Sequence, residues 1–129
     1  YLPVFAHAQI DQRSFAAPPE WFLTPHSFSE SNAQFVAVAT ELSEQVSRDC
    51  LERAGLAPQQ IDHVIVVTTT GVAAPSIDAR LINRLQMRPH TRRTPIWGLG
   101  CAGGIGGLSR AYEYARAFPD QRVLLVCVE

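Results

Sequence analysis

The sequence predicts an α/β fold built on a parallel sheet, and three observations carry that prediction. Ile61–Thr69 and Arg122–Val128 are unbroken runs rich in β-branched and aliphatic residues, as expected of strands buried on both faces. Helical patterns with apolar steps of three or four lie around them. Strand and helix signals alternate through residues 31–129, which points to βα units with right-handed crossovers.

Each element has its own local reason. Residues 1–30 hold Phe5, Phe15, Trp21, Phe22 and Phe28 among several prolines with no sustained period. They are expected to form an irregular segment lying on the core, since disordered chains lack such aromatics. Ser29 or Ser31 is expected to cap a helix from about Asn32 to Ala54, with Phe35, Val38, Leu42, Val46 and Cys50 as its apolar face. Glu44 and Arg48 add an i,i+4 pair, and Gly55 and Pro58 end the helix. After the first strand, Gly71 turns the chain, and Pro75, Ser76 and Asp78 open a second helix through Leu81 and Leu85. A short strand, Thr94–Trp97, leads into a third helix from Ala102 to about Ala117, which exits through Pro119-Asp120.

With 129 residues and 47% hydrophobic content, the chain can bury a core. A net charge of −1 gives no electrostatic basis for binding nucleic acid or an anionic membrane. No apolar run approaches the ~20 residues of a membrane span. Cys50, Cys101 and Cys127 are odd in number and widely spaced, so neither a zinc site nor a disulfide framework is expected, and a reducing, cytoplasmic setting is. The chain starts at Tyr1 rather than Met and stops at Glu129 directly after an apolar strand, and both ends suggest a piece of a longer protein.

The chemistry points to Cys101, in the run Gly98-Leu99-Gly100-Cys101-Ala102-Gly103-Gly104 between a strand and a helix. Unpaired N–H groups and the positive end of the helix dipole meet at such a junction and favour the thiolate, the reactive form of cysteine. A helix terminus contributes only ~0.3–1 kcal/mol, up to ~2 when partly buried. A basic neighbour is therefore needed for a fully activated nucleophile. A second reading takes Gly98, Gly100 and Gly103 as the G-x-G-x-x-G phosphate loop of a dinucleotide-binding module, with Glu129 as the ribose-binding acid. The third is a helix start made of small residues with no site at all.

Candidate bases are His7, His26, His63 and His90. His63 and His90 precede strands and belong at the N-terminal edge of the sheet, whereas Cys101 belongs at the C-terminal edge. Five or six strand residues at ~3.3 Å each separate those edges by roughly 15–20 Å. His7 and His26 fall in the first segment, where surface roles are expected. Cys50 and Cys127 are expected to pack as small buried hydrophobes.

At this point the residues resemble a known family. The chain is similar to the N-terminal region of type III polyketide synthases, the chalcone and stilbene synthase family of the thiolase-like superfamily. The matching stretches are Pro25-His26-Ser27-Phe28, Val66–Gly71, Pro75–Arg80, Gly98–Gly104 and Val123–Glu129, in the family's order. The resemblance implies a thiolase-like αβα layered half-domain with a mostly parallel sheet, incomplete at both ends. It further implies decarboxylative Claisen condensation of malonyl-CoA onto an acyl group taken from acyl-CoA, with no cofactor and no metal.

On the match, Cys101 carries the acyl group, while Thr69 and Thr70 wall the acyl cavity. Ala74 occupies a loop position whose side chain reaches the partner subunit's cavity in plant relatives, so a homodimer is implied. Ala73 and Ala74 are both small, as in bacterial members that take long fatty-acyl starters toward alkylpyrone or alkylresorcinol products. The family's catalytic histidine and asparagine are expected beyond residue 129, so the 129 residues alone are expected to be inactive. Basic residues for the CoA phosphates are not evident around Pro3 and His7, and Arg13, the nearest cation, is expected in a structural salt bridge. A type III β-ketoacyl-ACP synthase shares the thiol and would call for a basic docking patch, which the sequence does not display.

Overall fold

The computed structural model describes residues 2–12 and 14–129, so the expectation for Arg13 lies outside the described residues. In chain order the elements are α1 (Leu2–Ala8), α2 (Phe28–Arg53), β1 (His63–Thr68), α3 (Ile77–Arg84), β2 (Arg92–Trp97), α4 (Gly103–Ala117) and β3 (Val123–Cys127). The three strands are parallel and ordered β2-β1-β3, with His63 in register with Arg92 on one side and Val123 on the other. No helix among the described residues is long and apolar enough to cross a membrane.

Successive strand residues face opposite sides of a sheet, and that alternation builds the layers. Val64 and Val66 of β1, with Leu124 and Val126 of β3, join Ala39 and Leu51 of α2 and Ile77 and Leu81 of α3 in one buried cluster. Val67 and Leu125 face the other way, onto α4, where Gly107 lies so close that a Cβ there would come within 2.7 Å of both. The sheet is thus covered by α2 and α3 on one face and by α4 on the other, the αβα layering that the resemblance implies.

Helix α2 starts earlier than expected. Its N-cap is Ser27, not Ser29 or Ser31, because Ser27 and Glu30 form a reciprocal capping box: the Ser27 hydroxyl oxygen accepts from the Glu30 amide, and a Glu30 carboxylate oxygen accepts from the Ser27 amide. The buried stripe also differs. Ala39, Thr40, Ser43, Ser47 and Leu51 face the core, while Leu42 and Val46 are 44% and 53% exposed. Small side chains occupy the face where α2 meets α3 and the sheet, and the expected apolar stripe lies beside it. The C-terminal end follows expectation: Gly55, at φ +66°, closes the helix.

The first segment is less irregular and more exposed than the sequence suggests. It holds α1 and a 3-10 turn at Pro19–Leu23, and Phe5, Phe15 and Phe28 are exposed. Its aromatics pack partly on one another, with Phe15 against Phe22 at 5.3 Å and Trp21 against Phe22 at 5.1 Å. The largest departures concern β3 and the two outlying cysteines. β3 is an edge strand whose residues alternate between buried and partly exposed rather than being buried on both faces. Cys127, at its end, and Cys50 of α2, which lines a cleft beside β3 with Leu124 and Val126, are exposed free thiols and not core hydrophobes.

Candidate functional site

Cys101 stands where β2 hands over to α4. Gly98 at φ +88° and Gly100 at φ +54° turn the chain in the left-handed region, which glycine enters without steric cost. A 3-10 turn at Gly100–Ala102 then leads directly into α4 at Gly103. The Cys101 side chain is exposed and lies at the carboxyl end of the parallel strands. The turn is pinned from β1's side: the Gly100 amide donates to Thr69 Oγ1 at 3.2 Å, and the Trp97 indole N–H donates to the Gly71 carbonyl at 3.1 Å.

Glu129 completes this cluster. The Val128 amide donates to the Val67 carbonyl at 3.0 Å and extends the β3–β1 pairing. The next side chain then swings over the end of β1. Glu129 Oε2 accepts from the Thr69 amide at 2.9 Å and from the Thr70 hydroxyl at 2.5 Å. Partial burial works against its charge, but the bonds from Thr70 and Thr69 outweigh it and hold the carboxyl below the usual 4.5. A chain of contacts therefore runs from Glu129 through Thr69 to Gly100, the residue preceding the thiol. Strand order reverses at β1, between the chain's excursion to β2 and its return to β3, and ligands gather at such switch points in open α/β sheets.

The loop between β1 and α3 is held by α2. Asn32 accepts from the Val72 amide at 2.8 Å and donates to the Val72 carbonyl at 2.9 Å. Ala74 is exposed on this loop and precedes Pro75 through a cis peptide bond. Beside it, Ala73 lines a largely apolar cavity of about 400 Å³ between β1, β2 and α3.

The structure thus brings Cys101, Thr69, Thr70 and Glu129 to one edge of the sheet, with Ala74 farther along the same loop. The histidines stand elsewhere. His26 stacks on Trp21 at 4.1 Å and its Nε2 lies 2.8 Å from the Trp21 carbonyl oxygen. His63 lies at the opposite edge of the sheet, its Nε2 2.8 Å from Thr94 Oγ1. His7 and His90 are exposed. Gly98 and Gly100 are accounted for by the turn, and Gly103 by α4's close approach to Val67, where a Cβ would come within 2.7 Å. Glu129 is engaged by Thr69 and Thr70 instead of standing free as a ribose-binding acid. Its role in the thiol's surroundings escapes sequence reasoning because its partners lie about 60 positions away; only its place at a strand end could have signalled it.

Comparison with known proteins bears on the family and the fold. The N-terminal-domain model of chalcone and stilbene synthases matches residues 24–129. The chain is 39% identical over 122 residues to a 1,3,6,8-tetrahydroxynaphthalene synthase of Streptomyces peucetius subsp. caesius, covering 95% of this chain and 32% of that protein. A fungal type III polyketide synthase superposes with a TM-score of 0.86 at 26% identity, over 98% of this chain and 35% of the other. CsyB, solved as a complex with CoA-SH, superposes with a TM-score of 0.76 at 30% identity, over 81% and 29% respectively. The chain spans about a third of the length of the curated relatives it matches.

Proposed function

The chain belongs to the chalcone and stilbene synthase family, matching its N-terminal domain, and on that premise we propose that Cys101 is the acyl-carrying nucleophile of a type III polyketide synthase. One observation carries the reading. The exposed thiol sits on a turn tied to Thr69, at the start of α4 and at the carboxyl ends of parallel strands. The first N–H groups of a helix lack intrahelical partners, and their dipoles favour negative charge at that spot.

In the proposed reaction the Cys101 sulfur attacks the carbonyl carbon of an acyl-CoA. The bond from that carbon to the CoA sulfur breaks, and CoA leaves as its thiol with the proton Cys101 gives up. Malonyl-CoA loses CO2, and the resulting enolate attacks the Cys101 thioester. A carbon–carbon bond forms and the sulfur is released as thiolate. CoA thioesters as substrates are supported by the related CsyB having been solved with CoA-SH.

Thr69 positions the turn, while Thr70 and Glu129 fix the adjoining wall. The small Ala73 and Ala74 and the neighbouring apolar cavity favour a long aliphatic starter, with products of the alkylpyrone or alkylresorcinol type. A homodimer belongs to the same proposal. Three free thiols suit a reducing cytoplasm. The 129 residues by themselves are proposed to sustain no turnover.

Alkylation with iodoacetamide near neutral pH, read by peptide mass mapping, tests the assignment of the thiol. Cys101 is expected to react first and Cys127 last, because burial and then the Glu129 charge push the Cys127 thiol up. Faster labelling of Cys50 or Cys127 than of Cys101 would remove the proposal's basis.

A further inference from the structure

We infer that Asn32 is a positioning residue for the starter acyl chain, fixing Val72 as a firm wall of the cavity between β1, β2 and α3. This role rests on the acyl-transfer reading of Cys101. Gly71, Val72 and Ala73 line that cavity of about 400 Å³ together with Ile96 and Trp97 of β2. All three belong to the connection between β1 and α3, outside any strand or helix. A wall made of such a loop is firm only where groups from elsewhere take up its main-chain N–H and C=O.

Asn32 does this for Val72 twice over. Its Oδ1 accepts from the Val72 amide at 2.8 Å, and its Nδ2 donates to the Val72 carbonyl at 2.9 Å. One amide side chain thus gives Val72 both of the bonds that a paired strand residue would exchange with it. Asn32 stands near the capped N-terminal end of α2, 40 positions from Val72. The approach is close: a Cβ at Gly71 would overlap the ring of Phe35, which lies one turn along α2 from Asn32.

On its other side the loop is tied to the thiol's surroundings. The Gly71 carbonyl accepts from the Trp97 indole, and Thr69 Oγ1 accepts from the Gly100 amide, next to Cys101. Those ties hold the end of the loop beside the thiol, and Asn32 holds the following residue. The consequence is selection by chain length. Without Asn32, a starter long enough to touch Val72 must order that wall itself, whereas a shorter one meets less of that cost. Asn32 acts through Val72 and not on the reacting atoms.

The test is timed acyl transfer to Cys101 from dodecanoyl-CoA and from hexanoyl-CoA, read by mass spectrometry. It compares the enzyme containing these residues with its Asn32→Ala and Asn32→Asp variants. Aspartate keeps the shape and the acceptor but turns an oxygen toward the Val72 carbonyl, so it removes the donor with little risk to the fold. In both variants the dodecanoyl-to-hexanoyl rate ratio is expected to fall about fivefold, the scale of one net hydrogen bond, with iodoacetamide labelling of Cys101 unchanged. Amide exchange at Val72 is expected to rise in Asn32→Ala. An unchanged ratio, or equal slowing with both thioesters as a general loosening of the fold would give, overturns the role of Asn32 and leaves Cys101 in place. Transfer of neither acyl group to Cys101 in the unsubstituted enzyme overturns the acyl-transfer reading and the starter role with it. Unaltered Val72 exchange in Asn32→Ala overturns the brace itself, whatever the thiol does.

Discussion

Replacing Gly107 by alanine tests how closely α4, the helix that follows the Cys101 turn, packs on the sheet. A Cβ at Gly107 would lie 2.7 Å from Leu125 Cδ1 and 2.7 Å from Val67 Cγ2, both side chains of the interface between helix and sheet. Overpacking of this kind costs about 1–3 kcal/mol. Alanine is about 1 kcal/mol better than glycine inside a helix, so the net loss is about 0–2 kcal/mol. Gly104 provides the control on the same helix, since a Cβ there would meet nothing within 4 Å. Gly104→Ala should therefore stabilise by about 1 kcal/mol. The gap between the two variants equals the overpacking cost itself, about 1–3 kcal/mol in favour of Gly104→Ala. Urea unfolding followed by circular dichroism measures both. Equal effects of the two substitutions would refute the close packing of α4 on β1 and β3.

Two further predictions concern acid. Burial, and then the Arg92 charge, lower the His63 pKa from 6.5, so the fold favours the neutral ring. Its stabilising contribution is full above 6.5 and is lost as pH falls through the lower folded value; His63→Gln should flatten stability in that window, and a slope unchanged by the substitution would contradict it. The Glu129 carboxyl is held below 4.5, so its tie to Thr69 and Thr70 is complete above that value and released as pH falls through the folded one. Glu129→Gln should raise amide exchange at Thr69 at neutral pH, and unaltered protection would show that the carboxylate does not hold the loop.

The layered core was legible because β1 announces itself. A run of β-branched residues buried on both faces can only be a central strand, and Val64 and Ile65 are indeed fully enclosed. The Cys101 turn was legible through its glycines, two of which adopt positive φ where the strand ends. What depended on topology was not. β3 reads like β1 in sequence, yet the order β2-β1-β3 leaves it at an edge, and Cys127 is exposed for that reason. The buried face of α2 escaped because Thr40, Ser43 and Ser47 count as polar in any pattern, although their small size suits a close helix contact. Its start was marked by the S-x-x-E spacing of Ser27 and Glu30, a signal that the later onset of the apolar stripe obscured. Asp78 reads as a first-turn helix residue, and nothing in its neighbours along the chain discloses that it is buried against a cavity.

The most direct test is to incubate the enzyme containing these residues with a long-chain acyl-CoA and map the added mass by peptide mass spectrometry. The acyl group should reside on the peptide bearing Cys101 and disappear in Cys101→Ala, with the fold unchanged by circular dichroism. An acyl adduct that persists in Cys101→Ala, or one found on Cys50 or Cys127 instead, would contradict the assignment.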